Sequence, residues 1–131
     1  MNNDQPTYRS LGELNVVYLE KRFGKLQTKE LIIMDERLEH IRQSHPEDIE
    51  LFEQYGAASA LDPDMVIVDE KHEGTVFMIK GLPETNLNVV TRLALDIDDA
   101  GRKNSIMTFY RIRDKNLKKI VKKSEVLYKK E

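Results

Sequence analysis

KNSIMTFYRIR, residues 103–113, holds the strongest strand signal in the chain and its densest mixture of hydroxyl, aromatic and cationic side chains. Successive side chains of a strand point to opposite faces. Ser105, Met107, Phe109, Arg111 and Arg113 are therefore expected on one face, and Ile106, Thr108, Tyr110 and Ile112 on the other. Neither face sorts into purely apolar or purely polar residues, as the faces of an inert, half-buried strand would. The pattern suits a sheet floor that carries chemistry. A strand near a sheet edge, its long cations reaching into water, would produce the same pattern.

Outward from this stretch, residues 65–69 (MVIVD) and 75–80 (TVFMIK) read as a hairpin across a polar connection. Residues 87–95 (LNVVTRLAL) read as a third strand, with Asn88, Val90, Arg92 and Ala94 on one face. Short connections between successive strands favour an antiparallel meander. Earlier in the chain, residues 15–23 (NVVYLEKRF) are β-branched and aromatic enough for a first strand ending at Gly24. Residues 30–34 form an apolar lead into a helix capped by Asp35, with Leu38, Ile41 and His45 at helical spacing. Pro46 disfavours helical geometry at His45 and suits the first turn of a second helix over 46–55, which Gly56 would cap. A short helical turn at 57–61 would lead into the turn Asp62-Pro63-Asp64. Beyond the opening stretch, Asp114 can cap a helix over 115–122, and residues 125–129 (EVLYK) can add an edge strand. Helices early and strands late give the class α+β.

A chain of 131 residues suits one domain. Residues 1 to about 12 are expected to be disordered, because the start is polar and free termini fray. Apolar residues make up 40% and charged residues 34%, enough for a core beneath a heavily charged surface. Without cysteine there is no disulfide framework, thiolate metal site or cysteine nucleophile, which fits a cytoplasmic protein. No apolar run approaches the roughly 20 residues needed to span a bilayer, and no signal peptide is evident, so no membrane partner is expected. The chain reads as soluble and unexported, or as a piece of a longer protein. Its net charge of -2 hides a division: residues 1–100 carry 10 Lys or Arg against 20 Asp or Glu, and residues 101–131 carry 11 against 3. The basic end either attracts phosphates or lies against acidic surface of its own domain.

The sequence has no glycine-rich phosphate loop, GxSxG elbow or HExxH, which removes the common nucleotide, serine-hydrolase and zinc-protease readings. No metal spacing links His40, His45 and His72, and no cofactor is expected. His40 and His45 stand about 140° apart around an ideal helix and would not share a ligand. His45 lies on the Leu38/Ile41 stripe and points toward the sheet, where it either complements the helix end or acts as an acid or base. His72 reads as solvated in a polar turn. RNA cleavage without metal needs a base for the ribose 2′-hydroxyl, an acid for the leaving oxygen and cations for the charge at phosphorus. His45, Arg92, Thr108 and Tyr110 are the catalytic candidates. Lys80, Arg111 and Arg113 join them as substrate-binding cations. Each also has a plain structural reading, Arg92 as a partner for Asp96 or Asp98.

The ordered segments LEHIRQSHPEDIELFEQY, LDPDMVIVD, NVVTRLAL, KNSIMTFYRIRDKNLKK and EVLYKK resemble the phage and mobile-element nuclease family grouped with barnase, EndoU, the colicin tRNases and RelE. The resemblance covers about residues 30–130. It implies N-terminal helices packed on a twisted antiparallel sheet of four or more strands, with the other sheet face presented to RNA. It also implies a toxin-like, metal-independent endoribonuclease acting on tRNA or ribosome-associated RNA, with an immunity or antitoxin protein as a partner. Carried onto this chain, the histidine before proline is His45, with His40 the neighbouring match as a substrate-binding residue. The strand cation is Arg92 and the late hydroxyl is Thr108. The acidic first hundred residues are unusual for a free ribonuclease, so the alternative is a catalytically inactive protein- or RNA-binding domain of a phage or mobile element.

Overall fold

The computed structural model describes residues 7–131. The disorder expected over Met1–Pro6 falls outside the described residues. Among the described residues, four helices and seven strands form an α+β fold around one mixed sheet. In chain order the elements are β1 (Tyr8–Glu13), α1 (Val17–Phe23), β2 (Glu30–Met34), α2 (Asp35–Ser44), α3 (Pro46–Leu61), β3 (Met65–Val68), β4 (Thr75–Gly81), β5 (Asn86–Arg92), β6 (Asn104–Ile112), α4 (Asp114–Lys123) and β7 (Val126–Lys129). Their order across the sheet is β1-β2-β6-β5-β4-β3-β7.

The meander of β3 through β6 is antiparallel, as the short connections suggested. The complete sheet is not. β2 runs parallel to β6 and touches it only through Leu31↔Asn104 and Ile32↔Ser105. The later half of β6 is therefore not paired with β2, and this geometry makes room for one of the clefts described below.

Several local expectations are corrected. Residues 17–23 form a helix, because Val16 and Leu19 stand one helical turn apart and are both buried, while Lys21 and Arg22 are exposed. Residues 30–34 are a strand buried along Leu31, Ile32 and Ile33. Tyr8–Glu13, expected to be disordered, is a strand on β2. α3 runs through Gly56 to Leu61. That glycine answers to packing, since a Cβ there would lie 2.3 Å from Phe52 Cδ1. The Phe52 ring stacks on Phe109 of β6 with centroids 4.1 Å apart.

The strict alternation expected along β6 also fails. Thr91 pairs with Ile106 and Val90 with Thr108, so Met107 is an extra, exposed residue. A bulge of this kind reverses the facing of everything on one side of it. Ile106 consequently joins Phe109 in the main core, while Ser105, Thr108 and Tyr110 line the opposite face. That core lies where α3 contacts β4, β5 and β6 and includes Leu19, Leu38, Ile41, Met78, Leu87 and Val89. On the other face, α4 sets Leu117, Ile120 and Val121 against Ile67, Ile79 and Ile112. α4 buries no residue completely and leaves the Thr75–Phe77 end of β4 and its neighbours uncovered.

Candidate functional site

The uncovered part of the sheet is a cleft of about 1060 Å³. Phe77 of β4, Val90 of β5 and Met107 of β6 give it an apolar floor, and Thr75, Ser105, Thr108 and Tyr110 add hydroxyls. Lys71, Arg92, Arg102 and Lys103 supply positive charge at its walls. The size and the few polar groups over an apolar base are those of a small-molecule or nucleotide site.

Two of these cations are held internally. Arg92 lies over Gly74 and donates to the Leu93 carbonyl and, at 3.0 Å, to Asp98 Oδ1. Burial alone would raise the Asp98 pKa, but the Leu95 N–H and the Arg92 guanidinium outweigh it and hold the carboxyl below its usual value. Lys103 donates to Glu30 Oε1 at 2.7 Å, and this bond keeps its ammonium pKa above the ordinary value against a smaller opposing effect of burial. Tyr110 accepts a hydrogen bond from Asn88 Nδ2 at 3.1 Å, which leaves its own phenolic proton available to a ligand.

A second cleft, of about 540 Å³, lies beside the later half of β6. His45, Thr85, Tyr110, Arg111 and Arg113 line it with Glu47, Asp48 and Glu84. The His45 backbone closes two helices at once: its N–H donates to the Ile41 carbonyl at 2.7 Å, and its carbonyl accepts from Asp48 N–H at 3.0 Å. The imidazole is thereby placed at an exposed corner. Ligand atoms of His45, Glu47 and Asp48 lie within 4.8 Å of one another, a spacing that could hold a cation. Arg111 Nε stands 3.2 Å from the buried Asp48 carboxylate, however, and a positive charge there opposes a metal ion and favours an anion at the cleft mouth.

The residues expected from the sequence thus fall into four places. Arg92, Thr108 and Tyr110 share the larger cleft, and His45, Arg111 and Arg113 share the smaller one, with Tyr110 common to both. Lys80 enters neither, because its ammonium donates to the Asp62 carbonyl at 2.8 Å and pairs with the Asp62 carboxylate. His40 lines a separate depression on α2 with Glu36, Arg37 and Gln43. Two residues of the larger cleft were read differently in the sequence. The sequence marks Phe77 only as part of a strand and His72 as a solvated residue of a polar turn, although Asp69 lies three residues before it in a tight connection.

Among the described residues, no helix is long and apolar enough to cross a membrane. No family model matches the chain, and neither a curated protein nor a solved structure does.

Proposed function

We propose that the protein is a metal-independent endoribonuclease, toxin-like and of phage or mobile-element origin, that binds RNA along the open face of its sheet. The observation that carries this reading is the junction of the two clefts at Tyr110. An extended strand laid over that ring would meet Arg92 and Thr108 on one side, and His45, Arg111 and Arg113 on the other. Stacking of a base on an aromatic ring contributes about 1–3 kcal/mol, and the flanking cations suit phosphates. His45 is the acid or base of this reading. The placement of α3 against β4 through β6, with the opposite sheet face covered by α4 only in part, supports a helix-on-sheet arrangement like that of the barnase and RelE group.

The test is cleavage of total bacterial RNA in EDTA by the purified protein. Discrete fragments are expected from the wild type, with losses of about 100-fold or more for His45→Ala and a clear loss for Arg92→Ala. Absence of fragments, or wild-type activity in both variants, overturns the proposal. The commitment of Arg92 to Asp98 and of Lys103 to Glu30 favours a second reading, in which the same face binds RNA or a protein such as an antitoxin without cutting. That reading predicts complex formation with no fragments.

A further inference from the structure

The larger cleft contains a histidine of its own. His72 sits in the connection between β3 and β4, with Nδ1 2.8 Å from Asp69 Oδ2. The carboxylate is nine-tenths buried while the imidazole is 73% exposed, so a fixed base carries an accessible ring. The turn closes without that bond. Asp69 Oδ1 accepts the Lys71 N–H at 3.0 Å, Asp69 N–H donates to the Thr75 carbonyl at 2.9 Å, and Thr75 N–H donates to the His72 carbonyl at 3.1 Å. What the side-chain bond adds is orientation. A carboxylate accepting from Nδ1–H keeps the proton on that nitrogen and leaves Nε2 as the acceptor in the neutral ring.

His45 cannot serve a phosphate bound near Arg92. β5 runs from Asn86, opposite Ile112, to Arg92, opposite Ser105. Six strand steps separate these ends, about 20 Å at 3.3 Å per residue. His45 lies with Arg111 and Arg113 near the first end, whereas an acid or base must come within about 3 Å of its proton. His72 lines the cleft at the other end, together with Arg92, Ser105 and Thr108.

We infer that His72, positioned by Asp69, is the acid–base group for a phosphodiester of RNA bound in the larger cleft. This rests on the nuclease reading and moves the reacting phosphate from the His45 cleft to the Arg92 end. His72 Nε2 takes the proton of the ribose 2′-hydroxyl as the 2′-oxygen bonds to phosphorus. The bond from phosphorus to the 5′-oxygen breaks, that oxygen takes a proton from water, and the hydroxide left behind accepts the proton held on His72 Nε2. The products are a 2′,3′-cyclic phosphate and a 5′-hydroxyl, with no oxidant or co-reactant required.

The experiment measures steady-state cleavage of a mixed-sequence single-stranded RNA in EDTA by the wild type, His72→Ala, Asp69→Asn and His45→Ala. Because the His72 ring is exposed, its removal leaves the packing untouched. The expected result is a fall of about 100-fold or more in kcat for His72→Ala with little change in KM, partly restored by free imidazole. Asp69→Asn retains a side-chain oxygen acceptor for Lys71 and is expected to lower kcat by about tenfold at similar KM. If His72→Ala stays within about threefold of wild type while His45→Ala is inactive, the assignment to His72 is overturned and the nuclease reading stands. If the wild type cuts nothing, both are overturned.

Discussion

Replacing Asn104 by alanine tests the account of how the sheet is assembled. Asn104 is fully buried at the start of β6 and ties three separate segments together. Its Nδ2 donates to the Thr28 carbonyl at 2.9 Å and the Glu30 carbonyl at 3.0 Å, and its Oδ1 accepts the Ala94 N–H at 2.8 Å. These bonds brace the point where β2 meets β6 through only two residue pairs. At about 1 kcal/mol each, three bonds contribute about 3 kcal/mol, and stranding the buried Ala94 N–H raises the cost toward 5 kcal/mol. That is a large share of a total stability of about 5–15 kcal/mol. Urea denaturation followed by far-UV circular dichroism is the assay. With a slope of about 2 kcal/mol/M, the midpoint should fall by about 1.5–2.5 M. Asn104→Asp should do no better, because it keeps an acceptor for Ala94 but turns a carboxylate oxygen toward two carbonyls. A loss below about 1 kcal/mol at unchanged slope would refute the claim that this side chain joins β2 to the meander.

Gly56→Ala should destabilise by about 1–3 kcal/mol despite the better helix propensity of alanine, because the new methyl meets a Phe52 ring pinned by Phe109. A higher melting temperature would contradict this. Gly74→Ala should cost about 1–2 kcal/mol in backbone strain alone. Gly74 has φ +75°, and its Cβ would fall 2.3 Å from Arg92 Nη1, so the Arg92–Asp98 pair should open as well. Unchanged denaturation and RNA cleavage in this variant would remove Gly74 as the seat of Arg92. Burial, followed by the neighbouring Tyr128, pushes the Tyr18 phenol from 10.0 up to about 12. A phenol that ionises more readily unfolded than folded leaves stability intact below about pH 10 and lowers it as pH rises toward about 12. Urea midpoints across that interval should fall more steeply for the wild type than for Tyr18→Phe, and parallel curves would contradict the burial of this hydroxyl.

The meander from β3 to β6 was legible because each strand is a short apolar run bounded by Asp-Pro, Gly or Pro, and these cues act within a few residues. The helix over 17–23 was not, since VVYLEKRF satisfies strand propensity and helical spacing equally well. Packing decided between them: Leu19 is fully buried, and Tyr18 stacks on Tyr128 at 5.1 Å. Gly56 looked like a helix stop because glycine commonly ends helices, yet its lack of a Cβ serves the Phe52 ring instead. The same holds for the site. Arg92, Thr108 and Tyr110 could be picked out by side-chain type and strand parity. The separation of Arg92 and Thr108 from His45 depends on which end of the sheet the α2–α3 corner reaches.

By itself the sequence determined the α+β class, the succession of strands in the meander, the helix after Asp114 in the basic last segment and a supply of hydroxyls and cations on the late strands. These follow from local propensity and periodicity, which act over a few residues. Only the tertiary structure decided that β2 lies parallel to β6, that the Met107 bulge turns Ser105 to the same face as Thr108, and that His72 rather than His45 lines a cleft with Arg92. Register and proximity between distant segments come from burial and hydrogen bonding summed over the whole sheet, and no short window of residues contains that sum.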